Sequence, residues 1–167
     1  MPRTAIYVEA GSKRAFAVAV EWPGWSRAGR NEEEAIAALL AYGDRYAGVV
    51  RGVAPFSSPK DASGFEVVKR LKGDATTDFG APSAKSPMDA ALIGAVELER
   101  LAKLLAACWT AFDRATKAAR GLELRTGPRG GGRDLEKMSA HVMDAEKMYL
   151  TALGARAPKA TAATTTR

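Results

Sequence analysis

Apolar positions alternate along the start of the chain. Between Arg14 and Trp22, the bulky Phe16, Val18 and Val20 interleave with Ala15, Ala17 and Ala19. Successive strand side chains point to opposite faces, so this pattern predicts a strand with one bulky and one small face, as expected for a sheet packed by a helix. Thr4 to Val8 predicts a shorter strand before it. Ala10-Gly11-Ser12-Lys13 is a turn between them, so the two strands form a hairpin. Trp22-Pro23-Gly24-Trp25 ends the second strand, because proline and glycine punctuate regular structure.

The period then lengthens. Asn31 is a capping residue with Glu34 three positions on, and Ile36, Leu39, Leu40 and Tyr46 recur at helical spacing, predicting a helix that ends near Ala47-Gly48 and faces the sheet. Val49 to Gly64 is irregular, Phe65 to Leu71 predicts a further strand, and Lys72 to Lys85 reads as loop. Ser86-Pro87-Met88-Asp89 is a helix start, predicting a helix to about Arg120 that would be roughly 50 Å long. Its broad apolar face includes Leu92, Ile93, Val96, Leu101, Leu104, Leu105, Cys108, Trp109 and Phe112. Leu122 to Gly132 is a loop. A last helix runs from Arg133-Asp134 to about Leu153, with Leu135, Met138, Val142 and Tyr149 on its apolar face and Gly154 as its stop.

These elements predict an α+β protein: a small N-terminal antiparallel sheet with one packed helix, followed by a long antiparallel helix pair. The expected divisions are an α+β module over 1–72, a linker over 73–85, a helical hairpin over 86–154 and a disordered tail over 155–167. Two helices make a poor bundle by themselves. A second copy of the chain or another protein partner is therefore expected.

Composition narrows the classes. Of 167 residues, 47% are hydrophobic and 26% charged, a globular balance. No apolar run has the length of a secretory core or a membrane span, so no membrane partner is expected. A single cysteine forms no internal disulfide, which fits the cytoplasm. The net charge of +6 is spread along the chain without an aromatic–basic motif, so nucleic acid is not the expected partner.

Chemistry has few places to reside. His141 is the one histidine. Asp144 shares its helix surface, Lys137 opposes a cation there, and Glu136 is turned away. Catalytic zinc takes three protein ligands, so His141 by itself is not a site. Cys108, between Leu104 and Phe112, reads as a small hydrophobe. Gly127-Pro128-Arg129-Gly130-Gly131-Gly132-Arg133 lacks the lysine and hydroxyl ending of a phosphate loop and reads as a flexible connection. Trp22 and Trp25 are expected to pack on the following helix. Glu32, Glu33 and Glu34 point in different directions and complement the helix dipole.

Asp134 to Leu153, with its segment His141-Val142-Met143-Asp144-Ala145-Glu146, resembles the second helix of the DinB/YfiT-like family, and Ala90 to Ala119 resembles the first. The resemblance covers about residues 86–154. It implies a four-helix bundle and, in many members, a divalent metal such as zinc or nickel held by three histidines, with thiol transferase or hydrolase activity in some. His141 matches the first ligand. The others usually come from a later helix as His-x-x-x-His, and no histidine follows His141 here. The resemblance thus implies an incomplete metal site, with no cofactor bound by this chain alone and the remaining ligands beyond residue 167 or on another subunit. Phe16 to Val20, Pro23-Gly24 and Glu32 to Tyr46 are similar, more weakly, to HicB-like antitoxin modules, which implies the fold of the N-terminal part.

Overall fold

The structure, a computed structural model, describes residues 3–53, 55–124 and 134–155. It is an α+β protein whose chain divides into two compact units, Met1–Ala111 and Phe112–Arg167.

The first unit is built on a four-stranded sheet of β1 (Thr4–Ala10), β2 (Ala15–Ala19), β3 (Ser26–Gly29) and β4 (Phe65–Lys72), in the order β3-β2-β1-β4. The predicted hairpin forms, with Ile6 opposite Ala19 and Val8 opposite Ala17. Two features depart from the sequence reading. Ser26–Gly29 is a strand, antiparallel to β2. The sheet is also mixed rather than wholly antiparallel, because β4 lies parallel to β1. The reason is topological. β2 and β3 occupy one side of β1, and the helical crossover after β3 returns the chain to the other side in the same direction.

Trp22-Pro23-Gly24-Trp25 makes the turn into β3, and the Trp25 N–H closes on the Trp22 carbonyl at 3.0 Å. Gly24 has φ +88° at the third position, after proline at the second, an arrangement that a side chain would strain.

The predicted helix is two: α1 (Glu32–Ala41) and α2 (Gly43–Val50), broken at Tyr42. Asn31 caps α1 by accepting the Glu34 N–H at 2.9 Å. The Glu34 carboxylate does not complete a box on Asn31. It reaches one residue further back, to the Arg30 N–H and guanidinium. Glu32 pairs with Arg70 of β4 at 2.8 Å, tying the start of the helix to the far edge of the sheet.

Cross-strand pairs share a face, and this decides which side takes the helix. Ala15, Ala17 and Ala19 lie with Ile6 and Val8 against Ala35 and Leu39 of α1, all of them buried. The small face of β2 therefore carries the helix. The approach is close: a Cβ on Gly29 would stand 2.3 Å from the Ala35 nitrogen.

The opposite face holds Tyr7, Glu9, Phe16 and Val18. The segment read as a linker, 73–85, closes over it. Ala75–Phe79 forms a short helix, α3, capped by Asp74 and Thr77 in a reciprocal box. Glu9 is fully buried. Its carboxylate accepts the Thr77 hydroxyl at 2.5 Å, the Ser83 N–H at 2.9 Å and the Ala84 N–H at 3.0 Å. Asp78 of α3 accepts the Ser12 hydroxyl and the Lys13 N–H in the hairpin turn, at 2.5 and 2.8 Å. A buried carboxylate is tolerated only when its acceptor sites are filled, and here they are filled by the cover itself.

The long helix starts later than its signal. Ser86 and Asp89 do form a capping box, but it closes a single 3₁₀ turn, Pro87–Ala90. After Gly94 the helix α4 runs over Ala95–Ala118, 24 residues or about 36 Å. Leu104 is its one buried residue and joins the aromatic side of the core with Leu101. Gly121 follows α4 with φ +77°, as its place in the sequence suggests.

In the second unit, α5 (Leu135–Ala152) is capped by Asp134, which accepts the Lys137 N–H at 2.8 Å. Gly154 stands beyond its end at φ +78°. No helix among the described residues is long and apolar enough to cross a membrane. Most of the tail, 156–167, and the glycine-rich loop from 125 to 133 lie outside the described residues.

Glu9→Ala is expected to destabilise the first unit by about 2 kcal/mol in chemical denaturation, because it leaves the buried Thr77 hydroxyl and the part-buried Ser83 and Ala84 N–H groups without an acceptor; Thr77→Val, which removes one hydroxyl, should cost about 1 kcal/mol. Asp74 and Asp78 have carboxyls held below the usual carboxylate range, chiefly by the Ser83 and Ser12 hydroxyls. Since their folded values are the lower ones, the stability they add is full above the unfolded value near about 4 and fades as pH falls through the folded value. Asp78→Asn should flatten the acid limb of a stability–pH curve; an unchanged limb would contradict the role given to the Ser12 contact.

Candidate functional site

Among the described residues, a cleft in the first unit and the exposed sides of the long helices offer surface for function.

The cleft grows out of an aromatic cluster. Trp25 is 1% exposed, and its indole N–H donates to the Leu39 carbonyl at 2.9 Å, near the break between α1 and α2. Tyr46 of α2 stacks on Trp25 with ring centroids 5.9 Å apart and planes 16° apart, and its hydroxyl donates to the Pro23 carbonyl at 2.9 Å. Phe56 meets Trp22 and Trp25 edge-on, both at 4.9 Å. Burial pushes the Tyr46 phenol up to about 12. The expectation that Trp22 and Trp25 pack against the following helix holds. Arg100 of α4 adds a guanidinium 5.5 Å from the Trp22 ring and donates to the Glu21 carbonyl at 2.9 Å.

Beside this cluster lies an open cleft of about 240 Å³. Trp25, Tyr46, Val49 and Cys108 supply apolar wall, and Arg27, Tyr42 and Arg45 supply its charged side. The Arg27 guanidinium lies 3.4 Å from the centre of the Tyr42 ring, and that of Arg45 lies 5.7 Å from it. Neither arginine forms an ion pair among the described residues. Burial pushes the Cys108 thiol above its usual value. The sequence reading of Cys108 as a small hydrophobe agrees with this place. It did not single out Arg27, Tyr42 or Arg45. Arg27 belongs to the unforeseen strand β3, and Tyr42 and Arg45 to the unforeseen break between α1 and α2.

His141 is exposed on α5. Asp144, its nearest acidic neighbour on the helix surface, pairs with Lys147 at 3.1 Å, and Lys137 pairs with Asp134 at 2.9 Å. Among the described residues no three His, Cys, Asp or Glu side chains are grouped to hold a metal. Glu32 and Glu34 are engaged with Arg70 and Arg30, which is a structural use of the acidic run. The loop Gly127–Arg133 lies outside the described residues.

The helices carry more apolar surface than they bury. On α4, Leu98 is 58% and Leu105 51% exposed. Seven residues apart, they lie on one side of the helix, displaced from the side that Leu101 and Leu104 press to the core. No residue of α5 is buried, and beyond its middle Met148, Tyr149 and the capping Leu153 are 60%, 65% and 83% exposed.

Trp25→Phe should cost about 1–2 kcal/mol, through the lost hydrogen bond to Leu39 and a gap in the ring cluster. His141→Ala, at an exposed position, should change stability by less than about 0.5 kcal/mol in the same denaturation measurement.

No family model, curated protein or solved structure matches this chain.

Proposed function

We propose that this chain is a protein-interaction module. Its α+β unit serves as a stable base, and its two long helices pair with helices of a second copy of the chain. The observation that carries this reading is the apolar exposure of those helices, from Leu98 and Leu105 on α4 to Tyr149 and Leu153 on α5. Large apolar side chains clustered in exposed rows mark association surfaces, because association removes them from water at roughly 25 cal/mol per Å². The resemblance to DinB/YfiT-like helices supports the same reading, since that family's bundle needs four helices and the described residues form two long ones.

Light scattering on the purified chain tests this. The expected mass is a multiple of the 17.7 kDa protomer. Leu98→Glu with Leu105→Glu should shift it to the monomer while circular dichroism stays unchanged, because neither residue contributes to the core. A wild-type monomer with a sharp cooperative melt would overturn the proposal. So would stoichiometric zinc or nickel retained through purification, which would favour a metal-dependent transferase or hydrolase with His141 as one of its ligands.

A further inference from the structure

We infer that the cleft beside Tyr42 binds a small organic carboxylate carrying a single ring or a short apolar body. This inference does not use the exposed apolar rows, since neither Leu98 nor Leu105 lines the cleft.

Three observations lead to it. The first is the uncompensated charge. The Arg27 and Arg45 guanidiniums lie 3.4 and 5.7 Å from the centre of the Tyr42 ring, and neither has a carboxylate partner among the described residues. The Arg27 Nη1 donates to the Ser26 carbonyl at 2.8 Å, while its Nε is buried and has no hydrogen-bond partner. Two guanidiniums lining one cleft suit a carboxylate, which accepts from such forks in paired geometry. The second is the wall. Val49, Cys108 and the edges of Trp25 and Tyr46 offer apolar contact directly beside the charges, which a bare inorganic anion would leave unused. The third is size. At about 240 Å³ the cleft is smaller than the pockets of roughly 300–1,000 Å³ that take drug-sized molecules. One ring on a short acid chain matches that volume.

Cys108 provides a reporter, because it lines the cleft and is the chain's single cysteine. Its alkylation by iodoacetamide can be followed by mass in the full-length protein, alongside calorimetric titration. The probes are 3-phenylpropionate, its neutral amide, acetate and inorganic phosphate. 3-Phenylpropionate is expected to slow alkylation of Cys108 and to bind at least about tenfold more tightly than the amide, the margin of a charge-assisted pair. Acetate and phosphate should leave the rate unchanged at the same concentration. Arg45→Gln is exposed and should fold normally; it and Arg27→Gln should each erase most of the difference between acid and amide. Equal binding of acid and amide would overturn the inference, as would protection by phosphate or acetate alone. So would an acid–amide difference that survives Arg45→Gln in a protein whose circular dichroism matches wild type.

Discussion

The first unit depends on where the Trp25 indole goes. Its N–H reaches the Leu39 carbonyl, near the end of α1, and its ring stacks on Tyr46 one turn into α2. A buried indole needs a partner for its single donor, and the Leu39 carbonyl, in the last turn of α1, accepts it alongside the Tyr42 N–H. One side chain thus relates the Pro-Gly turn, the end of α1 and the direction of α2. Tyr46 repeats the connection from the other side by donating to the Pro23 carbonyl. With both ends fixed, Tyr42 is presented at the break, and Arg27 on β3 is placed over its ring. The cleft follows from the way the core is tied.

A second constraint acts on the other face of the sheet. Glu9 continues β1 beyond Val8, where alternation places it opposite the helix side. Burial there would be costly for a carboxylate without donors. The donors come from Thr77, Ser83 and Ala84, all within the segment that follows β4. That segment is polar and rich in glycine and proline, features that generally mark a linker. Its polarity has another use here. Hydroxyls and free N–H groups are the chemistry needed to cover an acid, and an apolar cover would have left Glu9 unsatisfied.

This explains which parts of the fold were legible in the sequence. The hairpin, the capped start of α1, β4 and both long helices were readable because periodicity and caps are local signals. The alternation of Phe16 and Val18 with three alanines even held the clue to two-sided coverage, since a bulky second face must also be hidden from water. What escaped were pairings set at long range. Ser26–Gly29 becomes a strand because β2 offers it an edge, and its own sequence of Ser, Arg, Ala and Gly has little strand preference. The parallel placement of β4 is decided by which side of β1 is free. The Ser86 signal was genuine but local: it capped one turn, and Gly94 preceded the long helix. Of the candidate site residues, His141, Cys108 and the two tryptophans were visible as residue types. The arginines at Tyr42 were not, because their role comes from a helix break and a strand that are not local patterns.

The two surfaces differ in what they ask of a partner. On the helices, apolar side chains are exposed in rows beside ion pairs such as Glu99 with Lys103, and Asp144 with Lys147, that are already satisfied within each helix. Exposed pairs of this kind contribute little to association and mainly keep the flanks wet. Burial of the apolar rows would then supply the affinity, favouring a large and weakly discriminating contact. At the cleft the balance reverses. Its apolar area is small, but the guanidiniums there have no carboxylate partner among the described residues, so a ligand's charge would decide binding. A surface that gains by area suits another protein, and one that gains by a single ion pair suits a small molecule. The same chain therefore separates its two kinds of unsatisfied chemistry, with hydrophobic surface on the long helices and uncompensated charge at the break between two short ones.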